Sequence, residues 1–346
     1  MFLSADRIKK NITWLLSNGS SPVKYLTHKY LLATPADSKL MKDLWREVGN
    51  SREAKDIFKK QEKNGSWCAD GSWALPAQYL PKDGYTPVSP KYVTTAWILP
   101  ILGDMGFTNK DKRINKACEY LLAFQYKNGF IGENPIKKYD AFPDRIQNPC
   151  RFAVTMIGFG KVGMGKDPRV IKAYNLFLKW QREDGGWVFE EHYKKRNWTR
   201  SCPWSTYHTT MALYSSGNDS YKQAINKALK FLVWHLSTKE EDKIRRFFYH
   251  GHSTIHELLM LSELNIGLKQ KPVQTILEWL MTMYHQDECY FRYTGKPISK
   301  YSRHKDAMDA RVAKYRLYHL IEDDWLTYYL TRIGMNLIKH EFNSSS

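Results

Sequence analysis

The chain has 346 residues, of which 42% are hydrophobic and 25% charged, as in ordinary folded globular proteins. Its formal net charge is +18, but the basic residues are dispersed, so a nucleic-acid-binding arm is not indicated. The five cysteines include no closely spaced pair, and neither a signal segment nor a run of about 18 apolar residues occurs. We therefore expect a cytoplasmic protein whose cysteines are reduced. Its positive charge could attract it to an anionic membrane surface.

A short phrase recurs after residues 1–56, which are predicted to be helical but less regular and which we interpret as an N-terminal cap. The phrase runs from Gln61 to Trp67, from Gln125 to Phe130 and from Gln181 to Trp187, with a weaker copy from His285 to Phe291. In the three strong copies Asn or Asp precedes a glycine. Since glycine tolerates a positive φ, this step is expected to end the helix that precedes it.

Two kinds of helix flank the phrase. Amphipathic helices precede it, with apolar residues every three or four positions, as at 114–124 and 170–180. More apolar and hence buried helices follow it, at 92–102, 151–160, 209–215, 253–264 and 306–321. Several of these are predicted to end in glycine, at Gly103, Gly160 and Gly217. The pattern predicts an all-α fold, an α/α toroid of five to six helical hairpins that forms one domain over residues 1–346, with a disordered tail at 343–346.

The copy from Phe177 to Trp187 resembles the QW repeat of terpenoid cyclases and the matching repeat of protein prenyltransferase β subunits. The resemblance extends from about Phe58 to Tyr293. It implies an α/α toroid, and it implies that the cavity binds an isoprenoid or another apolar small molecule with an anionic end.

The catalytic motifs of these families are incomplete. Ser205–Thr210 stands where a cyclase of this type carries its DxDD motif, and no carboxylate remains to protonate an alkene. The prenyltransferase zinc histidine is matched by His208, in Tyr207-His208-Thr209. Pro149 and Thr155 replace the other two ligands, Asp and Cys, so the resemblance implies an incomplete zinc site, and a separate α subunit cannot be inferred from it.

Loops before the inner helices of a toroid converge at one end of the ring, which suggests two hypotheses for a site there. In the first, Zn²⁺ is bound by Cys150, His208 and one of two further histidines, His252 or His250, because a thiolate and imidazoles suit this ion and three ligands leave an open position. The alternative is that these are separate hydrogen-bonded groups lining a wet cavity.

In the second hypothesis His208 moves a proton near neutral pH as an acid/base pair with Asp306 or Asp309. The alternative is that each Asp caps a helix or pairs with an arginine. Arginines and helix N-termini in the same loops could bind a diphosphate or carboxylate. We assign substrate binding to Tyr92, Arg151, Arg200, Trp204, Tyr249 and His250.

Three functional classes remain open. The first is an isoprenoid-handling enzyme, a transferase or a cyclase-like protein. The second is a carbohydrate-active lyase or glycosidase, in which Tyr207 and His208 could form the reactive pair. The third is a toroid that binds a ligand without catalysis. The acidic run Glu322–Asp324 is interpreted as an exposed turn between the last two helices rather than as a diphosphate–Mg²⁺ motif.

Overall fold

A computed structural model describes residues 2–67, 94–132, 149–189, 199–239, 248–249, 252–293 and 323–343. Helices dominate these ranges and the named strands are two residues long, which confirms the all-α class. The chain divides into two compact units. The repeat unit comprises Lys60–His235 and His250–His252, and the terminal unit comprises Met1–Lys59, Leu236–Tyr249 and Ser253–Ser346. The closed ring and the single domain stay predictions.

In chain order the helices are α1 Ala5–Asn18, α2 Ser21–Leu26, a π-helical segment Thr27–Leu31, α3 Lys39–Asn50, α4 Arg52–Phe58, α5 Thr95–Asp104, α6 Lys112–Leu122, α7 Pro149–Lys161, α8 Pro168–Trp180, α9 Pro203–Ser215, a 3₁₀ turn Asp219–Tyr221, α10 Lys222–Ser237, α11 Thr254–Leu264, α12 Lys271–Met281 and α13 Asp323–Asn343. The strands are β1 Phe248–Tyr249, β2 His252–Ser253, β3 Tyr284–His285 and β4 Tyr290–Phe291. None of the helices in the described ranges combines the length and the apolar character needed to cross a bilayer.

The repeat unit alternates inner and outer helices as predicted. The outer helices α6 and α8 bury one face, whereas α5 and α9 are buried on most sides, and α7 packs against both α5 and α9. Gly103 and Gly160 lie within the inner helices, so the prediction that these glycines end them was wrong. A Cβ on Gly160 would lie 2.6 Å from the backbone of Ser215, because adjacent inner helices approach closely at this point. The positive-φ glycines that follow the inner helices are Gly106, Gly163 and Gly217.

The glutamine of the repeated phrase joins one repeat to the next. Gln181 Nε2 donates to the carbonyl oxygen of Gly185 in its own turn and to that of Ala224 in α10, both at 2.8 Å. Gln61 and Gln125 donate in the same way to their own glycine and to the first turn of α6 or α8. One amide thereby ties the turn of one repeat to the outer helix of the next, since each carbonyl oxygen has two lone pairs and can accept this bond as well as one from its own helix.

The glycines of the phrase have the backbone conformation that the sequence predicts. The φ angles of Gly65, Gly129 and Gly185 are 95°, 100° and 87°. Each also faces the backbone of the next outer helix, and a Cβ on Gly185 would lie 2.6 Å from the carbonyl oxygen of Lys227. Glycine is therefore required here both for its φ and for the close approach of two repeats.

The weaker copy of the phrase keeps the same geometry in the terminal unit. Cys289 occupies the glycine position, with a φ of 59°, and β3 pairs with β4 across the turn. The backbone N–H of Phe291 donates to Thr327 Oγ1 at 2.8 Å, just as that of Trp187 donates to Thr206 Oγ1 at 3.1 Å. This copy is a true repeat that has lost its glutamine and glycine.

The N-terminal helices belong to the same unit as the C-terminal helix. Helix α1 packs along α13, and the Asn11 amide lies 3.1 Å from Thr331 Oγ1. The Trp14 ring stacks on Tyr290 with 4.6 Å between their centroids. The predicted cap is thus an integral part of the last repeat. Asn343 is the last residue of α13 and is therefore helical rather than part of a disordered tail, and residues 344–346 lie outside the described residues.

Candidate functional site

The start of α9 carries most of the predicted site residues that the structure describes. The fully described ones are Cys150, Arg200, Trp204, Tyr207 and His208. Four others, Tyr92, His250, Asp306 and Asp309, lie outside the described residues. For Arg151 in α7, Tyr249 in β1 and His252 in β2 the structure describes the backbone alone.

Helix α9 begins six residues before the predicted Thr209, because Pro203 occupies its first turn and Cys202 precedes it in an extended conformation. The N–H of Cys202 donates to the Trp187 carbonyl oxygen at 2.9 Å, which ties the helix start to the repeated phrase. Tyr207 and His208 therefore lie inside the helix, and placing them in the loop before it was wrong.

Helix α9 buries a run of six polar side chains, Ser205–Thr210, each at most 2% exposed. Two of them serve the fold. Thr206 Oγ1 accepts from the Trp187 N–H, and Thr210 Oγ1 donates to the Thr206 carbonyl oxygen at 2.6 Å. Thr95 plays the role of Thr206 in α5, but apolar side chains follow it, whereas polar ones follow Thr206. The repeat architecture thus requires Thr206, but it does not require the other polar side chains that follow Thr206 in α9.

His208 is held in a defined orientation. Its Nδ1 lies 2.9 Å from the Trp204 carbonyl oxygen, which can only accept, so Nδ1 carries the proton of this contact. In the neutral imidazole Nε2 is then the basic nitrogen. The Trp204 and Tyr207 rings lie 4.5 and 5.1 Å from the His208 ring between centroids, and His208 itself is 1% exposed. The arrangement is a buried base among aromatic rings.

Asp184 fixes the segment that leads into α9. Its carboxylate accepts from Ser201 Oγ at 2.7 Å, from the Ser201 N–H at 2.8 Å and from the Gly186 N–H at 3.1 Å. Partial burial alone would raise the pKa of Asp184, but the hydrogen bonds from Ser201 and Gly186 outweigh it and hold this pKa below the ordinary value. Sequence analysis missed this residue, although it is the Asp of the Asp-Gly step.

Arg200 is exposed, two residues before Cys202, and its guanidinium carbon lies 4.2 Å from the centroid of the Trp234 ring. A guanidinium over an aromatic face has its N–H donors in its own plane, where they can still bind a carboxylate or a phosphate. The prediction that Arg200 binds substrate stays a prediction.

Two of the proposed zinc ligands are on neighbouring helices. Cys150 lies half-buried in the first turn of α7, which packs against α9, the helix that carries His208. Within the described ranges no three His, Cys, Asp or Glu side chains are grouped to hold a metal ion. Since the side chain of His252 is outside those ranges, the zinc site stays a prediction.

The acidic run has structural roles where the structure describes it. Asp323 and Asp324 begin α13 and do not form a separate turn, which corrects that interpretation. Asp323 binds Arg292 at 3.1 Å, and Asp324 accepts from the Ser20 N–H at 2.8 Å. Both carboxylates are engaged within the terminal unit.

Comparison with known proteins yields structural likenesses of low identity. No family model matches the chain, and no curated protein sequence does. A protein from Actinoplanes is 13% identical over 97% of this chain and 99% of its own, with a TM-score of 0.43. The type II terpene cyclase MstE from Scytonema is 15% identical over 97% of this chain and 98% of its own, with a TM-score of 0.41. At these TM-scores the likenesses carry no argument about fold or reaction.

Proposed function

We propose that this protein is terpenoid cyclase-like or prenyltransferase-like and binds, at the start of α9, an isoprenoid or another apolar small molecule with an anionic end. The observation that carries the proposal is the cluster of Trp204, Tyr207 and His208, in which Tyr207 and His208 are buried and Trp204 is partly exposed. Aromatic rings supply apolar surface for an isoprenoid chain, and a small number of polar groups fix its orientation. Arg200 and the N-terminal end of α9 favour the anionic end.

His208 is proposed to accept a proton rather than donate one. Its Nδ1 proton is directed to the Trp204 carbonyl oxygen, so in the neutral imidazole Nε2 is the nitrogen that can accept a proton from the ligand. This role fits the absence of carboxylates from Ser205–Thr210, because a neutral imidazole cannot protonate an alkene. Deprotonation of a nucleophile, or of a carbocation formed from the ligand, needs only such a base.

Ligand binding can be measured by thermal shift and tryptophan fluorescence with geranylgeranyl diphosphate. Pyrophosphate and geranylgeraniol separately test the anionic and the apolar halves of this ligand. At about 100 times Kd we expect the diphosphate to raise Tm by about 5 °C and each half to have less effect. Trp204→Ala should weaken binding at least tenfold. His208→Ala should lower turnover by about 10²–10⁴-fold, followed as diphosphate release and extracted product, with a smaller change in affinity.

His340→Ala is the matched control, because His340 also binds a backbone carbonyl oxygen, that of Ser262 at 2.8 Å, but belongs to the terminal unit. It should leave both affinity and turnover unchanged. A response to acidic oligosaccharides without any response to isoprenoid diphosphates would overturn the proposal in favour of a carbohydrate-active protein. Binding that survives both Trp204→Ala and His208→Ala would place the ligand elsewhere.

A further inference from the structure

The segment between α2 and α3 exposes apolar side chains at high density. Tyr30, Leu32 and Leu40 are 45%, 42% and 46% exposed, although they lie within eleven consecutive residues. Leu31 and Met41, their neighbours in sequence, are buried and fill the core. The Tyr30 ring still lies 4.6 Å from the Arg332 guanidinium carbon, whereas Leu32 and Leu40 are left outside the core. Large exposed apolar side chains close together in the sequence are typical of an interaction site.

The loop that carries Leu32 is ordered by its own hydrogen bonds. The Thr34 N–H donates to the His28 carbonyl oxygen at 2.9 Å, and the Ser38 side chain caps α3 through the Met41 N–H at 3.2 Å. Between them Ala33 has a φ of 50°, and this left-handed conformation is energetically unfavourable for a residue that carries a Cβ. Backbone strain of this kind persists only where surrounding contacts impose it, and it is found preferentially at functional positions.

Basic residues outnumber acidic ones in this part of the chain. Five basic residues lie between positions 21 and 46, against two acidic ones, Asp37 and Asp43. The basic ones are Lys24, Lys29, Lys39, Lys42 and Arg46. Asp43 is paired with Arg46 at 2.9 Å. Lys39 and Lys42 are exposed next to Leu40, and the Lys29 ammonium lies 4.9 Å from the centroid of the Tyr30 ring.

We propose that residues 29–42 form a membrane-docking surface, in which Leu32 and Leu40 enter the interface of an anionic lipid bilayer and the lysines contact its headgroups. Exposed apolar side chains close in sequence to exposed lysines match both layers of such an interface, namely acyl chains beneath negative phosphates. A protein partner would instead require apolar surface with few lysines, since lysine is depleted from protein–protein interfaces. The inference does not depend on the ligand bound at α9.

Vesicle flotation tests this surface with the full-length protein. Vesicles of phosphatidylcholine alone are compared with vesicles that also contain phosphatidylglycerol. We expect binding to the anionic vesicles that falls as salt is added, because headgroup contacts are screened. Lys39→Gln and Lys42→Gln should each weaken binding by about fivefold, the effect of one lysine near a charged bilayer. Leu32→Asp and Leu40→Asp should each weaken it at least tenfold.

Leu178→Asp is the matched control. Leu178 is a surface leucine of α8 that is 38% exposed, next to Lys179, so the substitution changes charge and hydrophobicity equally at another site. It should leave vesicle binding unchanged. Equal loss in Leu178→Asp and Leu32→Asp, or no binding to anionic vesicles, would overturn the proposal. So would a dimer in light scattering that Leu32→Asp dissociates while vesicle binding is absent, because the surface would then be an interface between copies of the chain.

Discussion

The carboxylate of Asp184 links the turn of the third repeat to the segment before α9. Because hydrogen bonds lower its pKa in the folded state, its contribution to stability is present at neutral pH and is lost as pH falls through the folded pKa, below 3.8. We expect Asp184→Asn to cost about 1–2 kcal/mol near pH 7. The difference in unfolding free energy from wild type should shrink as pH falls from about 5 to about 3, as urea titrations at several pH values would measure.

Asp219→Asn provides the control for this pH dependence. Asp219 is 85% exposed in its ion pair with Lys222, and pairs of this kind contribute little to stability. Its stability curve should follow that of wild type at every pH. A constant difference between Asp184→Asn and wild type from neutral to acid pH would mean that the charge of Asp184 contributes nothing.

At this scale, sequence analysis succeeded where a residue acts within its own turn. The positive φ of Gly185 follows from the Asp-Gly step, since glycine is the residue that adopts it without strain. The contact between Asp184 and Ser201 spans 17 positions, and no periodicity connects the two residues. Cys289 shows the opposite limit, because its positive φ is inherited from a repeat whose glycine the sequence no longer contains.

The junction between a turn and the next outer helix can be tested with two glycines of positive φ. A Cβ at Gly185 would collide with the Lys227 backbone, whereas nothing lies within 4 Å of a Cβ at Gly217. We expect Gly217→Ala to cost about 1 kcal/mol from its φ alone. Gly185→Ala should cost about 2–5 kcal/mol, since α10 must also move away. Denaturant unfolding of both variants measures the difference.

Gly49→Ala separates these effects from a general intolerance of alanine. Gly49 lies in α3, and a Cβ there would meet nothing within 4 Å. We expect this substitution to stabilise the protein by about 0.5–1 kcal/mol, because alanine favours the helix. Equal destabilisation by Gly185→Ala and Gly217→Ala would contradict a close contact between α10 and the preceding turn.

For whole elements, helical periodicity predicted the outer helices best. Helix α8 runs over Pro168–Trp180 against a predicted 170–180, because its apolar residues recur on one face. The start of α9 was placed at Thr209 instead of Pro203, since Ser205–Thr210 is polar and has no periodicity to indicate a helix. The same error put His208 in a loop. A helix that buries polar side chains cannot be told by sequence pattern alone from a solvent-exposed segment.

At the scale of the molecule, the sequence indicates the repeats but not which helix completes the last one. Residues 1–56 lack the phrase, so the sequence does not show that α1 packs against α13; the structure does. In the weak copy His285 stands at the position of the glutamine that joins earlier repeats, and the contact is made instead by Tyr284 and Asn11, with 2.9 Å between their polar side-chain atoms. With its nitrogen turned toward Tyr284, the Asn11 amide also donates to the Cys289 carbonyl oxygen at 2.9 Å. An amide donor therefore still joins the turn to the next helix, but it comes from Asn11 in α1 and not from the turn itself. No local sequence pattern reveals this exchange.

Two asparagines of α1 test whether this junction holds the chain ends together. Asn11 is buried against Thr331 and Tyr284, whereas Asn18 is exposed and donates to the Trp14 carbonyl oxygen within its own helix. Asn11→Ala leaves two hydroxyl groups without their amide partner and should lower the unfolding free energy by about 2–3 kcal/mol. Asn18→Ala should change it by less than about 0.5 kcal/mol. Hydrogen exchange should show faster exchange in both α1 and α13 of Asn11→Ala, because neither helix buries its face without the other; unchanged protection of α13 would mean that α1 is only an appended cap.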